Sequence, residues 1–191
     1  LHVAVLKKDG PTASLRVTST SGGQLGHKLS KVGTGMLGIA WEDGRGSTKQ
    51  AYAQIIDTTG AKAWAADGVL VSNRAGDHIA PFTLSDGNGG MIVACEDKTL
   101  GNLKSDIYAQ RLTSTGTPLW SSAGVPICTA ANGQQFPWMI SDDQGGAIMV
   151  WEDYRPSYTN VEVYASRILA DGRFPIGPPI LSYSSKLVAF S

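Results

Sequence analysis

No apolar run in the 191-residue chain approaches the roughly 18 residues that would suggest a membrane span. No charged-then-apolar leader precedes a small-residue cleavage site. The chain begins at Leu1, inside a stretch that already reads as a strand, as a processed mature protein or an excised fragment would. An excess of charge of either sign is also missing. The 16 Lys and Arg balance the 16 Asp and Glu, so no global field draws the protein to nucleic acid or to an anionic membrane surface. Neither is expected as a partner.

Cysteine and histidine are scarce. Cys95 and Cys128 could form one bridge at most, which is no disulfide framework for a chain of this size. His2, His27 and His78 lie at no ligand spacing from one another or from a cysteine, so no metal and no cofactor is expected. The nucleophile elbow, the phosphate loop and the dinucleotide fingerprint are all lacking, which leaves covalent hydrolysis and nucleotide chemistry nothing to rest on.

What is present is glycine, 23 residues of it, with only 17% charged residues and apolar runs too short for helix faces. An all-β fold follows. Its organisation appears on self-comparison, which should precede any local reading. Tyr52, Tyr108 and Tyr164 recur at intervals of 56, as do Gly60, Gly116 and Gly172, and Trp64 with Trp120 and Pro81 with Pro137 repeat the interval once. Trp41-Glu42-Asp43 returns as Cys95-Glu96-Asp97 and as Trp151-Glu152-Asp153, with the first interval two residues shorter. The length difference falls in a loop between Trp41 and Tyr52.

Each unit reads as a four-stranded antiparallel meander. In the middle unit the strands are 81–85, 91–95, 106–112 and 124–129, with the glycine-rich turn at 86–90 supplying positive φ. The second strand is apolar at every position, as suits a strand covered on both faces, while the third and fourth are mixed. That gradient predicts small sheets packed face to face around an axis, a β-propeller-like array of about three and a half 56-residue repeats. The domain is divided into a partial unit at 1–26, repeats at 27–76, 77–132 and 133–184, and a terminal strand at 185–191. Its open edges are expected to be completed by another chain or by more of the same one, so self-association is a second expectation.

The segments Trp151-Glu152-Asp153-Tyr154-Arg155, Ile107-Tyr108-Ala109-Gln110-Arg111-Leu112 and Gly124-Val125-Pro126-Ile127-Cys128-Thr129 resemble the tandem repeats of secreted bacterial proteins predicted to form β-propellers. The resemblance covers nearly the whole chain and implies an exported or cell-surface protein. It implies no particular activity.

The Glu-Asp pairs at 42/43, 96/97 and 152/153 are the first candidates for acid–base or calcium chemistry. Neighbouring strand residues point to opposite faces, however, and a catalytic dyad is not normally copied into every repeat. An architectural role is expected, with one carboxylate of each pair accepting bonds from backbone or from Arg45, Lys98 and Arg155. Ser141-Asp142-Asp143-Gln144-Gly145 matches the start of the Asp-box of sialidase-type propellers, but its place between the first and second strands is explained by turn chemistry. Cys95 stands where the other units have Trp41 and Trp151 and is expected to be a buried free thiol.

Among the aromatics, Trp41, Trp64, Trp120, Trp151 and the repeated tyrosines recur in phase and are assigned to packing. Tyr154 and Tyr158 do not recur. They sit beside Arg155 in the polar connection between the second and third strands of the last full unit, and Tyr and Arg are favoured at binding surfaces. The candidate ligand-binding set is Tyr154, Arg155 and Tyr158, with Asp77 and His78 from a connection between units. The expected function is a non-catalytic extracellular scaffold or a platform for protein or glycan. The alternatives are a sialidase-like glycan-active enzyme and a structural subunit that polymerises through its open sheet edges.

Overall fold

The computed structural model describes residues 1–4, 14–101 and 104–175. Among these residues there is no helix, and every strand pairing is antiparallel. A hairpin of His2–Ala4 (β1) and Ser14–Arg16 (β2) comes first. Sheet I contains Gln24–Gly33 (β3), Met36–Asp43 (β4), Gln50–Asp57 (β5) and Val69–Leu70 (β6). Sheet II contains His78–Ser85 (β7), Met91–Asp97 (β8), Asp106–Leu112 (β9) and Val125–Cys128 (β10). Sheet III contains Gln134–Ser141 (β11), Ala147–Ser157 (β12) and Asn160–Ile168 (β13). In each sheet, sequence neighbours are pairing neighbours.

The repeat boundaries shift slightly from those expected. Residue 27 lies inside β3, because Gln24 and Leu25 already pair with Asp43 and Glu42. The expected fourth strand of the last repeat and the expected terminal strand at 185–191 lie outside the described residues.

Local chemistry explains the turns. Asp86 accepts the amides of Asn88 and Gly90, and Asp142 those of Gln144 and Gly146, so each carboxylate closes the turn after the first strand of its sheet. The same carboxylates take Arg111 and Arg167 at 3.0 Å. Sheet I has Val32 and Ile55 at the equivalent positions, an apolar pair in place of an ion pair.

The sheets stack through the alternation of side chains along their second strands. Met91, Val93 and Cys95 of β8 pack on Ala40, Ala53, Ile55 and Trp64 of sheet I. Ile92 and Ala94, pointing the other way, pack on Met149, Trp151 and Ile168 of sheet III. All seven residues of β8 are consequently buried. Sheet I in turn sets Ile39 and Trp41 against Leu1 and Val17.

The 56-residue spacing of Trp and Gly has a direct physical meaning. Trp64 donates its indole N–H to the carbonyl of Ser114, and Trp120 to that of Ala170, in each case on the following sheet. The glycine two residues beyond the accepting carbonyl lies flat on the indole. A Cβ at Gly116 would fall 2.9 Å from Trp64 Cγ, and one at Gly172 would fall 2.8 Å from Trp120 Cδ1. Both glycines also have φ of +82°.

Gly116→Ala therefore combines a backbone penalty with a clash, for an expected loss of about 2–4 kcal/mol. Gly87→Ala has φ of +75° but nothing within 4 Å of the new methyl group, so it should cost only about 1–2 kcal/mol. Urea denaturation of the two variants checks the difference; equal losses would mean that the indole contact contributes nothing.

Candidate functional site

The Glu-Asp pairs sit at the end of the second strand of each sheet, and their two carboxylates do separate jobs. Glu42 reaches forward to accept the amide of Ala80 in sheet II at 3.0 Å, and Glu96 accepts that of Phe136 in sheet III at 2.9 Å. Those amides belong to a register shift in the first strand, where Ala80 and Phe136 have φ of +48° and +54°. Gly26 occupies the same position of sheet I with φ of +57°. A left-handed conformation is unusual for alanine and costly for phenylalanine. A carboxylate oxygen accepting the amide of each holds it there. Burial pushes the Glu96 carboxyl up, against the opposing pull of the Phe136 amide and Lys98.

Each aspartate turns the other way and organises its own sheet. Asp43 accepts Trp41 Nε1 at 2.8 Å and a two-pronged bond from Arg45 at 2.8 and 2.7 Å, and Arg45 lies over the Tyr52 ring at 3.7 Å. Asp153, Trp151, Arg155 and Tyr164 repeat this arrangement, with Arg155 at 2.9 and 2.6 Å from the carboxylate and 3.8 Å from the ring centroid. Burial alone would raise Asp153; the bonds from Arg155 and Trp151 outweigh it and leave its carboxyl below the usual range.

Sheet II has Cys95 and Thr99 where the others have Trp and Arg, so the arginine comes from elsewhere. Arg74, from the segment between sheets I and II, donates to Asp97 at 2.5 Å and covers the Tyr108 ring at 3.9 Å. Cys95 is buried and, like Cys128, carries no disulfide, and burial pushes its thiol up to about 12.

Three of the five candidate ligand residues have other duties or another place. Arg155 is expected in a polar connection, yet β12 continues to Ser157 and closes on Asn160, so Tyr154 and Arg155 lie on a strand. The Arg155 guanidinium is engaged by Asp153 and Tyr164, and this removes it from the set. Asp77 accepts the amide of Lys49 through its side chain and that of Lys98 through its carbonyl. His78 is 1% exposed, donates its backbone N–H to Lys49, and has both ring nitrogens without a hydrogen-bond partner. These two residues build the junction between sheets I and II.

Tyr154 and Tyr158 do come together. With Gly133 and Gln135 they line an open cleft of about 430 Å³. The Tyr154 amide bonds to the Gly133 carbonyl at 2.9 Å, and its hydroxyl donates to Glu152 at 3.2 Å. Asn132, with φ of +65°, donates its side-chain amide to the Tyr154 carbonyl and fixes the cleft wall. Tyr158 occupies the two-residue tip between β12 and β13 and is exposed. Gly133 and Gln135 are absent from the set expected from the sequence. The available signal was a break in the repeat, since Gln135 stands where the other units have Leu25 and Ile79.

No family model and no curated protein matches the chain. Among solved structures it is similar to an endo-arabinase from Bacteroides thetaiotaomicron VPI-5482, with a TM-score of 0.46, 14% identity, and 76% of this chain and 56% of that one covered. An endo-1,4-beta-xylanase from the same organism gives 0.49 at 11% identity, covering 91% and 57%. A thermostable family-43 glycoside hydrolase gives 0.48 at 13%, covering 83% and 55%. The chain thus spans a little over half the length of each.

Burial disfavours the charged form of His78 and lowers its pKa from 6.5, against a weaker opposing pull from Asp97. The unfolded chain therefore takes up the proton first, and stability contributed by the neutral ring is lost as pH falls from about 6.5 towards the lower folded value. Gln24 and Gln134 fill the same position in the other sheets and donate to backbone carbonyls. His78→Gln should flatten the pH dependence of denaturation between pH 7 and 5, and an unchanged slope would assign it to another group.

Proposed function

We propose that the chain is a stretch of a β-propeller that binds carbohydrate in the cleft formed by Gly133, Gln135, Tyr154 and Tyr158. One observation carries this reading: residues that break the 56-residue repeat converge on one place. Where all three units agree, the residue is accounted for by stacking, turns or the Asp-Arg-Tyr cluster. Tyr154 replaces Gly44 and Lys98, Gln135 replaces Leu25 and Ile79, and Tyr158 stands where the middle unit has Asn102. None of these changes is needed to hold sheet III on sheet II, yet together they line the cleft.

The chemistry suits a neutral sugar. Tyrosine rings offer flat apolar faces with a polar rim, and an amide with a carboxylate nearby supplies both donors and acceptors for hydroxyl groups. Among the described residues the cleft carries no cluster of free cations that would select an anion: Arg155 is taken by Asp153. The repeated junctions, with the first strands β3, β7 and β11 lying side by side, support the propeller geometry. The exported setting implied by the repeat resemblance accords with a glycan ligand. Self-association through open edges remains part of the proposal.

A second reading, a glycan-active enzyme, draws on Glu152, whose carboxylate meets Tyr154 beside the cleft. Hydrolysis by the usual route uses two carboxyl groups flanking the bond to be cleaved; Glu152 bonds the Tyr154 hydroxyl, and Glu96 lies near enough to add to burial and that bond in raising the hydroxyl's pKa. The named activities of the similar structures belong to those proteins.

Calorimetric titration against soluble neutral oligosaccharides, with reducing-end assay of the same mixtures, tests both readings. Tyr154→Ala and Tyr158→Ala should each weaken binding by about 10-fold without release of new reducing ends. Binding unaffected by both variants would remove the cleft from the account, and reducing ends lost in Glu152→Gln would favour the enzyme.

A further inference from the structure

Sheets I and II each present one face to the sheet that follows, and the residues of that face are fully buried. Ala40 and Ala94 on the second strands, and Ala51 and Ile107 on the third, are all 0% exposed. Sheet III carries Val150 and Val163 at the same repeat positions, and these are 39% and 58% exposed. Trp138 and Ile140 on β11 are exposed beside them. The side chains at these positions are apolar, like their buried counterparts, and not polar, so the face is not adapted to water.

The polar part of the junction is also incomplete. Glu42 and Glu96 divide their oxygens in one way: Oε2 meets a lysine of the same sheet, Lys49 at 3.8 Å or Lys98 at 3.5 Å, and Oε1 accepts the bulge amide of the next sheet. In Glu152, Oε2 accepts the Tyr154 hydroxyl. Oε1 has no hydrogen-bond donor among the described residues.

We infer that this face is covered by a further sheet of the same repeat, carried by the same polypeptide and stacked on sheet III as III is stacked on II. Such a sheet would continue the two junctions already formed, I on II and II on III. The occupant must bring a first strand with a positive-φ amide for Glu152 Oε1. It must also bring second-strand side chains of the Met91, Val93 or Met149, Trp151 kind to lie over Ile148, Val150 and Val163. Such a sheet leaves the Tyr154–Glu152 bond in place, so the inference rests on the propeller reading and not on the sugar ligand.

The test compares the 191-residue chain with one extended after Val188 by a copy of residues 77–132, which keeps the 56-residue register. Val163→Asp is made in both. In the unextended chain Val163 faces water, so the substitution should leave the melting temperature nearly unchanged. In the extended chain it buries a charge and should lower the melting temperature by about 6 °C or more, and the β13 amides should exchange more slowly than in the unextended chain. Equal effects of the substitution in the two chains, or an appended unit that leaves β13 exchange unaltered, overturns the inference. Association of the unextended chain that Val163→Asp abolishes also overturns it, by giving the face to a second copy.

Discussion

The structure depends on one bond that is made twice: a glutamate at the end of a second strand accepts a backbone amide from the first strand of the next sheet. Apolar stacking is non-directional and would tolerate sheets sliding over one another. The bond from Glu42 to Ala80, and from Glu96 to Phe136, fixes both the register and the angle of each junction. It also accounts for the left-handed residue in the first strands of sheets II and III. The bulge turns an N–H out of the ladder, and the carboxylate satisfies a donor that burial would otherwise leave costly. The indole bonds of Trp64 and Trp120 pin the same junctions at a second point, between the third and fourth strands of each sheet.

The aspartate beside each glutamate shows how the repeat tolerates change. Three sheets keep an aspartate, an arginine over a tyrosine ring and their mutual bonds, but sheet II draws its arginine from a different segment. There the Trp of the other sheets is Cys95, and Asp97 takes Arg74 and the Thr99 hydroxyl in place of the indole and the sheet's own arginine. What is preserved is the ion pair stacked on an aromatic ring. The positions that supply it have moved.

Much of this was legible in the sequence, because a period is visible wherever a contact demands the same residue type. The tyrosine, tryptophan and glycine series correspond to ring contacts and indole bonds, and the all-β antiparallel meanders, the turn role of Asp86 and Asp142, and the buried Cys95 stand as expected. Other features had no such signature. Arg74 lies outside the repeat register of Arg45 and Arg155, so its equivalence appears only in space. The bulge at Phe136 is hidden because alanine and phenylalanine do not announce positive φ as Gly26 does. Tyr154 and Arg155 look like loop residues, since the polar run around Pro156 conceals a strand that continues to Ser157 and pairs with Asn160. Asp77 and His78 look like surface polar residues because nothing local shows that a neighbouring sheet closes over them.

The central claim is that the inter-sheet glutamate governs the stack, and native-state hydrogen exchange of Glu96→Ala tests it most directly. If the claim holds, the Phe136 amide loses its protection, the β11 amides follow, and the ladder between β8 and β9 within sheet II keeps its own. Exchange at Phe136 as slow as in the unaltered protein would contradict it, and would mean that apolar contact alone sets the junction.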